Sequence, residues 1–254
     1  MSAGADTGPS FGPPFEPLLV LDCSQRESVV GLAVAGRLLE RRFTPAPSGP
    51  PVGNASDAGE RLWVELESLL AEADCAPGAL AAVAVATGPG AFTGLRVSTA
   101  LAQGLGLSLG VPIVGIPSAA VFARARVLEG ARGPWLVALA AKDGSAWCAR
   151  ARCAAEASDA RLLLEDGAVL DEAGFAARLA EVAASEAELL ADAHLPDALR
   201  ALARAHGIAC HEPRATAAAL VAEALLALPD RACDPAALLP IYAREPEAVT
   251  KWRE

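Results

Sequence analysis

The segment Thr87-Gly88-Pro89-Gly90-Ala91-Phe92-Thr93-Gly94-Leu95-Arg96 carries the densest pattern in this chain of 254 residues. Leu80–Ala86 before it is a run of alanine and valine, which predicts a strand buried on both faces. Leu95–Leu109 after it predicts a helix, and the first amides of a helix can bind an anion. The glycine spacing differs from the dinucleotide fingerprint, and no Lys-Ser or Lys-Thr pair follows as in a P-loop. The residues alone therefore predict a tight turn, with Thr93 as the helix N-cap.

Alternating strand and helix patterns surround this segment in the first half of the chain. Three short apolar runs predict an antiparallel meander: Leu18–Cys23, Val29–Ala35 and Leu38–Phe43. Glu60–Ala73 predicts an amphipathic helix, because its leucines recur on one face. Val111–Ile116 predicts a short buried strand.

The second half repeats this mixture of strands and helices. Pro134–Ala141 and Ala146–Cys153 predict a hairpin around Asp143-Gly144. The later elements that we predict are helices near Glu172–Ala184, Asp197–His206 and Thr216–Leu228, and a strand at Ile208–Glu212. The sequence thus indicates two related α/β lobes. We expect a disordered tail over 1–17, a first lobe over 18–123, a second lobe over 124–228 whose final helix can pack back on the first, and a tail over 229–254.

Composition excludes several classes of function. With 21 Lys and Arg against 31 Asp and Glu, the formal net charge is −10, which disfavours a protein that grips a nucleic-acid backbone on its own. The aromatic fraction of 4% disfavours stacking on single strands. The six cysteines lack the zinc-finger spacings, and the three histidines form no metal-binding pattern. We therefore expect no metal site in this chain.

The stretch Val97–Ala123 carries no charge, so a hydropathy scan would mark it as a membrane span. Its glycines and prolines, Pro112 above all, divide it into a helix and a short strand instead. We therefore expect a protein that does not bind a membrane. The uncharged stretch is expected to form part of the protein interior and an apolar interface. Met1–Pro17 has neither a basic residue nor an apolar run, which predicts no secretory signal and a cytoplasmic protein with reduced thiols.

No set of nucleophile, base and orienting residue can be assembled from the sequence. Asp22 and Ser24 close the first predicted strand and are the candidate nucleotide-binding residues. Aspartate and serine at a strand end are also ordinary turn formers.

Three blocks of sequence resemble the TsaB (YeaZ) family. The opening Leu18-Leu19-Val20-Leu21-Asp22-Cys23-Ser24, followed by Ser28–Leu32, is similar to the start of those proteins. Gly88–Val97, with Ala102–Leu105 and Val114–Ser118, resembles the family's most diagnostic segment. Pro240-Ile241-Tyr242-Ala243-Arg244, with Ala248 and Lys251 beyond it, is similar to the family's closing segment. The family motif loop thus consists here of Gly88, Pro89, Gly90, Phe92, Thr93, Gly94 and Arg96.

The resemblance implies an α/β chain with the two-lobed actin/Hsp70-like (ASKHA) fold, with a mixed sheet and flanking helices in each lobe. It also implies a non-catalytic partner subunit of the bacterial machinery that makes N6-threonylcarbamoyladenosine in tRNA. Such a subunit stabilises and positions a catalytic TsaD-like subunit, and a TsaE-like small ATPase joins the pair. ATP and a metal are then expected in the partner subunits, none is bound by this chain alone, and tRNA is contacted only through the complex.

The family pairs through helices of the first lobe, which correspond here to Glu60–Ala73 and Leu95–Leu109. The resemblance thereby implies a set of partner-interface residues on those two helices: Leu62, Trp63, Leu66, Leu70, Ser98, Leu101, Ala102, Leu105 and Leu109. Periodicity alone does not separate core from interface. A homodimer through the same helices is an alternative use of them.

The chain departs from the family pattern at three places. Asp57-Ala58-Gly59 stands where a histidine is common, Ala140-Ala141-Lys142 where Asp-Ala-Arg is common, and Lys251 where a lysine pair is frequent. These departures concern nucleotide or tRNA contacts rather than the fold. The alternative function is a stand-alone ATP-dependent kinase or carbamoyltransferase of the same superfamily, with Asp22 and the turn Gly88–Gly94 holding phosphate.

Overall fold

The first sheet has five strands and contains both strand directions. A computed structural model describes residues 15–44, 57–154, 161–165, 167–185 and 187–243. The strands of this sheet are β1 (Leu18–Asp22), β2 (Ser28–Val34), β3 (Arg37–Phe43), β4 (Ala82–Gly88) and β5 (Ile113–Pro117). Their order is β3-β2-β1-β4-β5, with β1, β2 and β3 antiparallel and with β4 and β5 parallel to β1. The predicted meander is confirmed, and β4 is buried along its whole length.

The second sheet is also mixed. Its strands are β6 (Trp135–Ala140), β7 (Ala146–Cys153), β8 (Leu162–Leu164), β9 (Ala168–Leu170), β10 (Glu188–Ala191) and β11 (Cys210–His211). The order is β11-β10-β6-β7-β8, and β9 pairs with another part of β7. β6 and β7 form the predicted antiparallel hairpin, and β10 runs parallel to β6.

The helices lie in three layers around the two sheets. They are α1 (Asp57–Glu72), α2 (Phe92–Leu109), α3 (Ser118–Leu128), α4 (Glu172–Ala183), α5 (Asp197–Ala205) and α6 (Ala217–Arg231). α1 and α2 pack on the outer face of the first sheet, and α4 and α5 pack on the outer face of the second. α3 and α6 lie between the two sheets and pack against each other.

The middle layer joins the two lobes through one continuous core. Leu18 of the first sheet, Phe122 of α3 and Trp135 of the second sheet belong to the same cluster of buried side chains. Arg124 of α3 is 1% exposed, and its Nε lies 2.6 Å from an Oε of Glu223 on α6. Both strand-rich halves therefore rest on one shared helical layer.

Several elements differ from the prediction, and β8, β9 and β10 were not predicted. α3 was not predicted as a helix, and the expected lobe boundary at 123/124 cuts through it. Phe15 packs on the core, and the Pro17 carbonyl accepts a hydrogen bond from Ala81 N. The predicted disordered tail over 1–17 is therefore too long at its carboxyl end. Residues 1–14 lie outside the described residues. The last helix continues to Arg231, beyond its predicted end.

The uncharged stretch Val97–Ala123 spans parts of α2, β5 and α3. Among the described residues, no helix is both long enough and apolar enough to cross a membrane.

Candidate partner-binding site

The motif loop between β4 and α2 lies against the end of β1. Ala91 N donates a hydrogen bond of 2.7 Å to the carbonyl oxygen of Ser24. A Cβ atom added to Gly90 would lie 2.1 Å from that same oxygen, and one on Gly94 would lie 2.0 Å from the Cys23 oxygen. Real Cβ atoms do not approach so closely, so both glycines are required by the contact between loop and strand.

The start of α2 differs from the prediction. The N-cap is Ala91, which has no side-chain oxygen to cap the helix, and Thr93 lies within the first turn. The predicted N-cap role of Thr93 is therefore wrong. The hydrogen bond from Ala91 to Ser24 fixes the entry into the helix instead.

Asp22 and Ser24, the candidate nucleotide-binding residues, are each only 1% exposed. Ser24 N donates to Asp22 Oδ1 at 2.8 Å, while Asp22 Oδ2 and Ser24 Oγ have no partner among the described residues. Burial raises the pKa of the Asp22 carboxyl, and the hydrogen bond from Ser24 N opposes that effect. A phosphate needs accessible donors, and here the amides of Ser24 and Ala91 are used within the loop. These residues do not fit a nucleotide phosphate.

The segment Cys233–Ala243, which we call the strap, runs back over the first lobe. Cys233 N donates to the Ile113 carbonyl at 2.9 Å, Gln103 Nε2 donates to the Leu238 carbonyl at 2.9 Å, and Ile241 N donates to the Thr87 carbonyl at 2.7 Å. This part of the predicted tail over 229–254 is thus tied to α2, β4 and β5; residues 244–254, with the family positions Arg244, Ala248 and Lys251, lie outside the described residues.

Three glycines on different elements make room for the strap. A Cβ at Gly88 would lie 2.7 Å from the Ile241 carbonyl oxygen, and one at Gly106 would lie 2.9 Å from Pro235. A Cβ at Gly115 would lie 2.8 Å from Leu238. The first lobe is therefore shaped to accept this segment.

The strap ends in a small aromatic and basic cluster at the start of α2. The rings of Phe92 and Tyr242 have centroids 5.1 Å apart, and the Arg96 guanidinium carbon lies 3.9 Å from the Phe92 ring centroid. Arg96 Nε donates to the Tyr242 hydroxyl at 3.2 Å. The motif loop and the closing segment, far apart in sequence, thus form one site.

Most of the predicted partner-interface residues face the interior of their own lobe. Six of the nine are buried in the chain itself: Leu62, Leu66, Leu70, Ser98, Ala102 and Leu105. Leu101 and Leu109 are half-buried and pack against the same core. The assignment of the buried six to a contact surface is wrong, because the leucine stripes of α1 and α2 cover the first sheet.

The outer sides of α1 and α2 carry a different set of apolar residues. Trp63 is 47% exposed, Val64 is 51% exposed and Leu107 is 65% exposed. Ala100 and Gly104 on α2 are also exposed. Of the predicted interface residues, only Trp63 lies on this outer face. Val64 and Leu107 were not predicted. The signal that could have found them is their position on the helices, between the leucines of the buried stripes.

A cavity of about 270 Å³ lies elsewhere, between α3 and the segment after β11. Arg126, His211 and Arg214 line it, together with Glu129 and Glu212. Glu188 beside it accepts hydrogen bonds from Arg126 and Trp135, so much of its charge is already paired. Within the described ranges, no group of three His, Cys, Asp or Glu side chains could hold a metal ion.

Sequence comparison finds similarity between part of this chain and tRNA-modification proteins. Residues 54–162 match the family model described as TsaD, tRNA N6-adenosine threonylcarbamoyltransferase. The tRNA threonylcarbamoyladenosine biosynthesis protein TsaB of Buchnera aphidicola is 42% identical over 65 residues, which are 26% of this chain and 31% of that protein. The TsaB protein of Bacillus subtilis is 41% identical over 58 residues, or 23% of this chain and 25% of that protein. The matched region thus spans less than a third of the length of either relative.

Structural comparison covers more of the chain. YeaZ from Pseudomonas aeruginosa superimposes with a TM-score of 0.65 at 22% identity, over 89% of this chain and 98% of that one. A Pseudomonas aeruginosa protein described as similar to the peptidase YeaZ gives 0.66 at 24% identity, over 89% and 99%. At these identities the likeness shows the fold. The predicted fold of two α/β lobes, each with a mixed sheet and flanking helices, is confirmed, as is the resemblance noted from the motifs.

Proposed function

We propose, on the premise that the chain belongs to the TsaB (YeaZ) family, that it is a non-catalytic partner subunit of the bacterial tRNA N6-threonylcarbamoyladenosine modification complex. It stabilises and positions a TsaD-like catalytic subunit, and a TsaE-like small ATPase joins them. ATP and a metal are held by those partners, tRNA is contacted through the complex, and the assembly works in the cytoplasm.

The observation that carries this proposal is the exposed apolar surface on the outer side of α1 and α2. Trp63, Val64 and Leu107 are large side chains that are each about half or more exposed. A group of large exposed apolar side chains on two neighbouring helices is typical of a site of protein–protein contact. Ala100 and Gly104 lie exposed on α2, where small side chains permit a partner helix to come close.

The environment of Asp22 also supports a non-catalytic role for this chain. Asp22 is buried at the end of β1, and no cationic side chain pairs with it among the described residues. A catalytic role would need accessible titratable groups that converge on a substrate. We therefore assign the transfer reaction to the TsaD-like subunit.

Reconstitution tests the proposal. The TsaD-like subunit, the TsaE-like ATPase and the enzyme that supplies the activated threonylcarbamoyl group are incubated with tRNA, with and without this chain. We expect modified adenosine only when this chain is present, and equal activity without it would refute the role. Tight binding of ATP and magnesium by the isolated chain would favour the stand-alone enzyme instead.

Substitution of Leu107 tests the surface. We expect Leu107→Glu to weaken binding to the TsaD-like subunit by about tenfold or more, with an unchanged melting temperature, because this side chain is 65% exposed. Leu163→Glu on β8 is the matched control, since Leu163 is 41% exposed on the other lobe. Undiminished binding by Leu107→Glu would place the interface elsewhere. If the isolated chain forms a homodimer through this face, the same substitution will dissociate it.

Leu105→Glu is expected to behave differently from Leu107→Glu. Leu105 is only 9% exposed and belongs to the core under α2. A buried carboxylate there will lower the melting temperature of the chain by itself, before any partner is added. A normally folded Leu105→Glu variant that fails only in pairing would restore Leu105 to the interface.

A further inference from the structure

A second exposed surface lies beside the outer side of α2, where the strap meets the first turn of that helix. We call it the strap face and define it by Phe92, Arg96, Leu239, Ile241 and Tyr242. Leu239 is 71% exposed, Phe92 44% and Ile241 40%. Three large apolar side chains thus remain at the surface of a segment whose backbone is firmly hydrogen-bonded.

Arg96 is the charged member of the strap face. Between Asp74 and Arg124 it is the only charged residue in the sequence. Its Nε is used by the Tyr242 hydroxyl and its plane lies against Phe92, but its two terminal nitrogens have no hydrogen bond or ion pair with any described residue. The guanidinium is therefore held in place with two nitrogens available to an outside group.

An oriented guanidinium suits a carboxylate. Two parallel N–H donors match the two oxygens of an aspartate or glutamate side chain, and such pairs are stronger than neutral hydrogen bonds. Because the contacts with Phe92 and Tyr242 already restrict the side chain, little further conformational entropy is lost when the pair forms. Once a partner covers the apolar neighbours, water is excluded, and a charge pair beside them is strengthened.

We propose that the strap face binds a protein segment that carries a carboxylate beside apolar side chains, on the subunit that pairs with this chain. This inference rests on the proposed function and names the chemistry of the partner's contact. The chain itself has a net charge of −10, so an acidic segment is repelled by most of its surface. Arg96 therefore fixes the register of docking as well as contributing affinity.

The experiment is a titration of the full-length chain with the TsaD-like subunit at low and at high salt. Wild type is expected to bind more weakly as salt increases. Arg96→Gln is expected to bind about tenfold more weakly at low salt and to lose most of the salt dependence. Arg204→Gln is the matched control, since Arg204 is an exposed arginine on α5 of the other lobe, and it should behave as wild type.

Tyr242→Phe and Leu239→Asp separate the charge contact from folding. Tyr242→Phe keeps the ring against Phe92 but removes the hydroxyl that accepts from Arg96, so we expect a smaller loss of affinity than in Arg96→Gln. Leu239→Asp changes a side chain that is 71% exposed, so the melting temperature should be unchanged while binding weakens. If Arg96→Gln alters the melting temperature, the affinity of Leu239→Asp for the TsaD-like subunit decides whether the strap face is the contact.

The outcomes distinguish this inference from the proposed function. If wild type does not bind the TsaD-like subunit, the proposed function fails. If wild type binds and the Arg96→Gln and Leu239→Asp variants bind equally well, the strap face is not the contact, although the partner role stands. Two further results would overturn the inference. In the first, Arg96→Gln dissociates a homodimer of this chain but leaves binding to the TsaD-like subunit unchanged. In the second, the double variant Glu245→Gln/Glu247→Gln binds that subunit more tightly than wild type, which would indicate that Arg96 pairs with a glutamate of its own chain.

Discussion

Single glycines of the motif loop are explained by the atoms that lie against them. Gly90 faces the carbonyl oxygen of Ser24 and Gly94 faces that of Cys23, each at a distance that no Cβ atom tolerates. Sequence spacing had suggested an anion-binding turn or a plain turn with Thr93 as its cap. Neither pattern shows which strand end the loop contacts, because that contact joins residues about 65 positions apart in the chain.

Gly90→Ala should therefore destabilise the chain. Its new Cβ would lie 2.1 Å from a backbone oxygen, so loop and strand must separate, at a cost of about 2 kcal/mol or more. Gly104→Ala is the control, because a Cβ there meets nothing within 4 Å and alanine favours a helix by up to about 1 kcal/mol. Chemical denaturation of both variants measures the difference, and equal stabilities would contradict the close contact.

The buried Asp22 carboxyl should make the free energy of unfolding decrease as pH rises, whereas most aspartates in folded proteins have the opposite effect. Because burial raises its pKa above the unfolded value of 3.8, the folded chain holds the proton more tightly than the unfolded chain does. The resulting stabilisation is complete below pH 3.8 and is lost as the pH rises through the folded pKa.

Asp22→Asn removes that titration. The free energy of unfolding of wild type minus that of Asp22→Asn should fall as the pH is raised from about 4 to about 8, as measured by denaturant titration at several pH values. A difference that stays constant with pH would show that Asp22 is ionised in the folded chain to the same extent as in the unfolded one.

Helices with one solvent-facing side were predicted well from the sequence, whereas the enclosed helix α3 was missed. α1, α2, α4 and α5 were located within a few residues, because their polar sides give a helical period. α3 was missed because all of its residues from Ser118 to Ala125 are buried between two sheets, which leaves no polar side. β10 was missed because four residues that include glutamate and alanine do not resemble a central strand.

The candidate site was predictable in part for the same reason. The motif loop and Tyr242 were singled out through the family resemblance, but their contact depends on the path of the strap. The leucines of α1 and α2 were assigned to an interface although they form core, because a period identifies a face and not what covers it. Leu107 and Val64, outside the leucine stripe, carry the exposed apolar surface.

At the level of elements, the pairing of α3 with α6 should depend on a buried ion pair. Arg124 is 1% exposed and Glu223 is 12% exposed. Glu223→Met removes one buried partner of the Arg124 guanidinium and is expected to destabilise the chain by about 3 kcal/mol. Arg124→Met with Glu223→Met should cost clearly less than Glu223→Met alone, because apolar side chains of similar size fill the space.

The exposed pair Arg161–Asp230 provides the comparison at the end of α6. Its side chains are 57% and 62% exposed, so Asp230→Asn should change stability by less than about 1 kcal/mol. Thermal and chemical denaturation of the three variants and of wild type give the values. If the double variant at Arg124 and Glu223 is as unstable as Glu223→Met alone, the electrostatic explanation of the loss is contradicted.

The whole molecule should unfold as one unit in spite of its two lobes. α3 and α6 contribute to a single core that includes Leu18 and Val20 of one sheet and Trp135 and Val137 of the other. Neither lobe can lose its structure without exposing this layer, so calorimetry should show one transition whose calorimetric and van't Hoff enthalpies agree. Two separated transitions, or release of a stable lobe by limited proteolysis, would contradict a shared core.

The path of the strap affects how the first lobe folds during translation. Gly88, Gly106 and Gly115 belong to the first half of the chain, yet the groups that occupy the space beside them come from Pro235, Leu238 and Ile241. During translation the amino-terminal half emerges many seconds earlier, since elongation proceeds at about 5–20 residues per second. Through that interval the nascent first lobe has an uncovered surface along α2 and β5, which is covered only when residues 235–241 have left the exit tunnel.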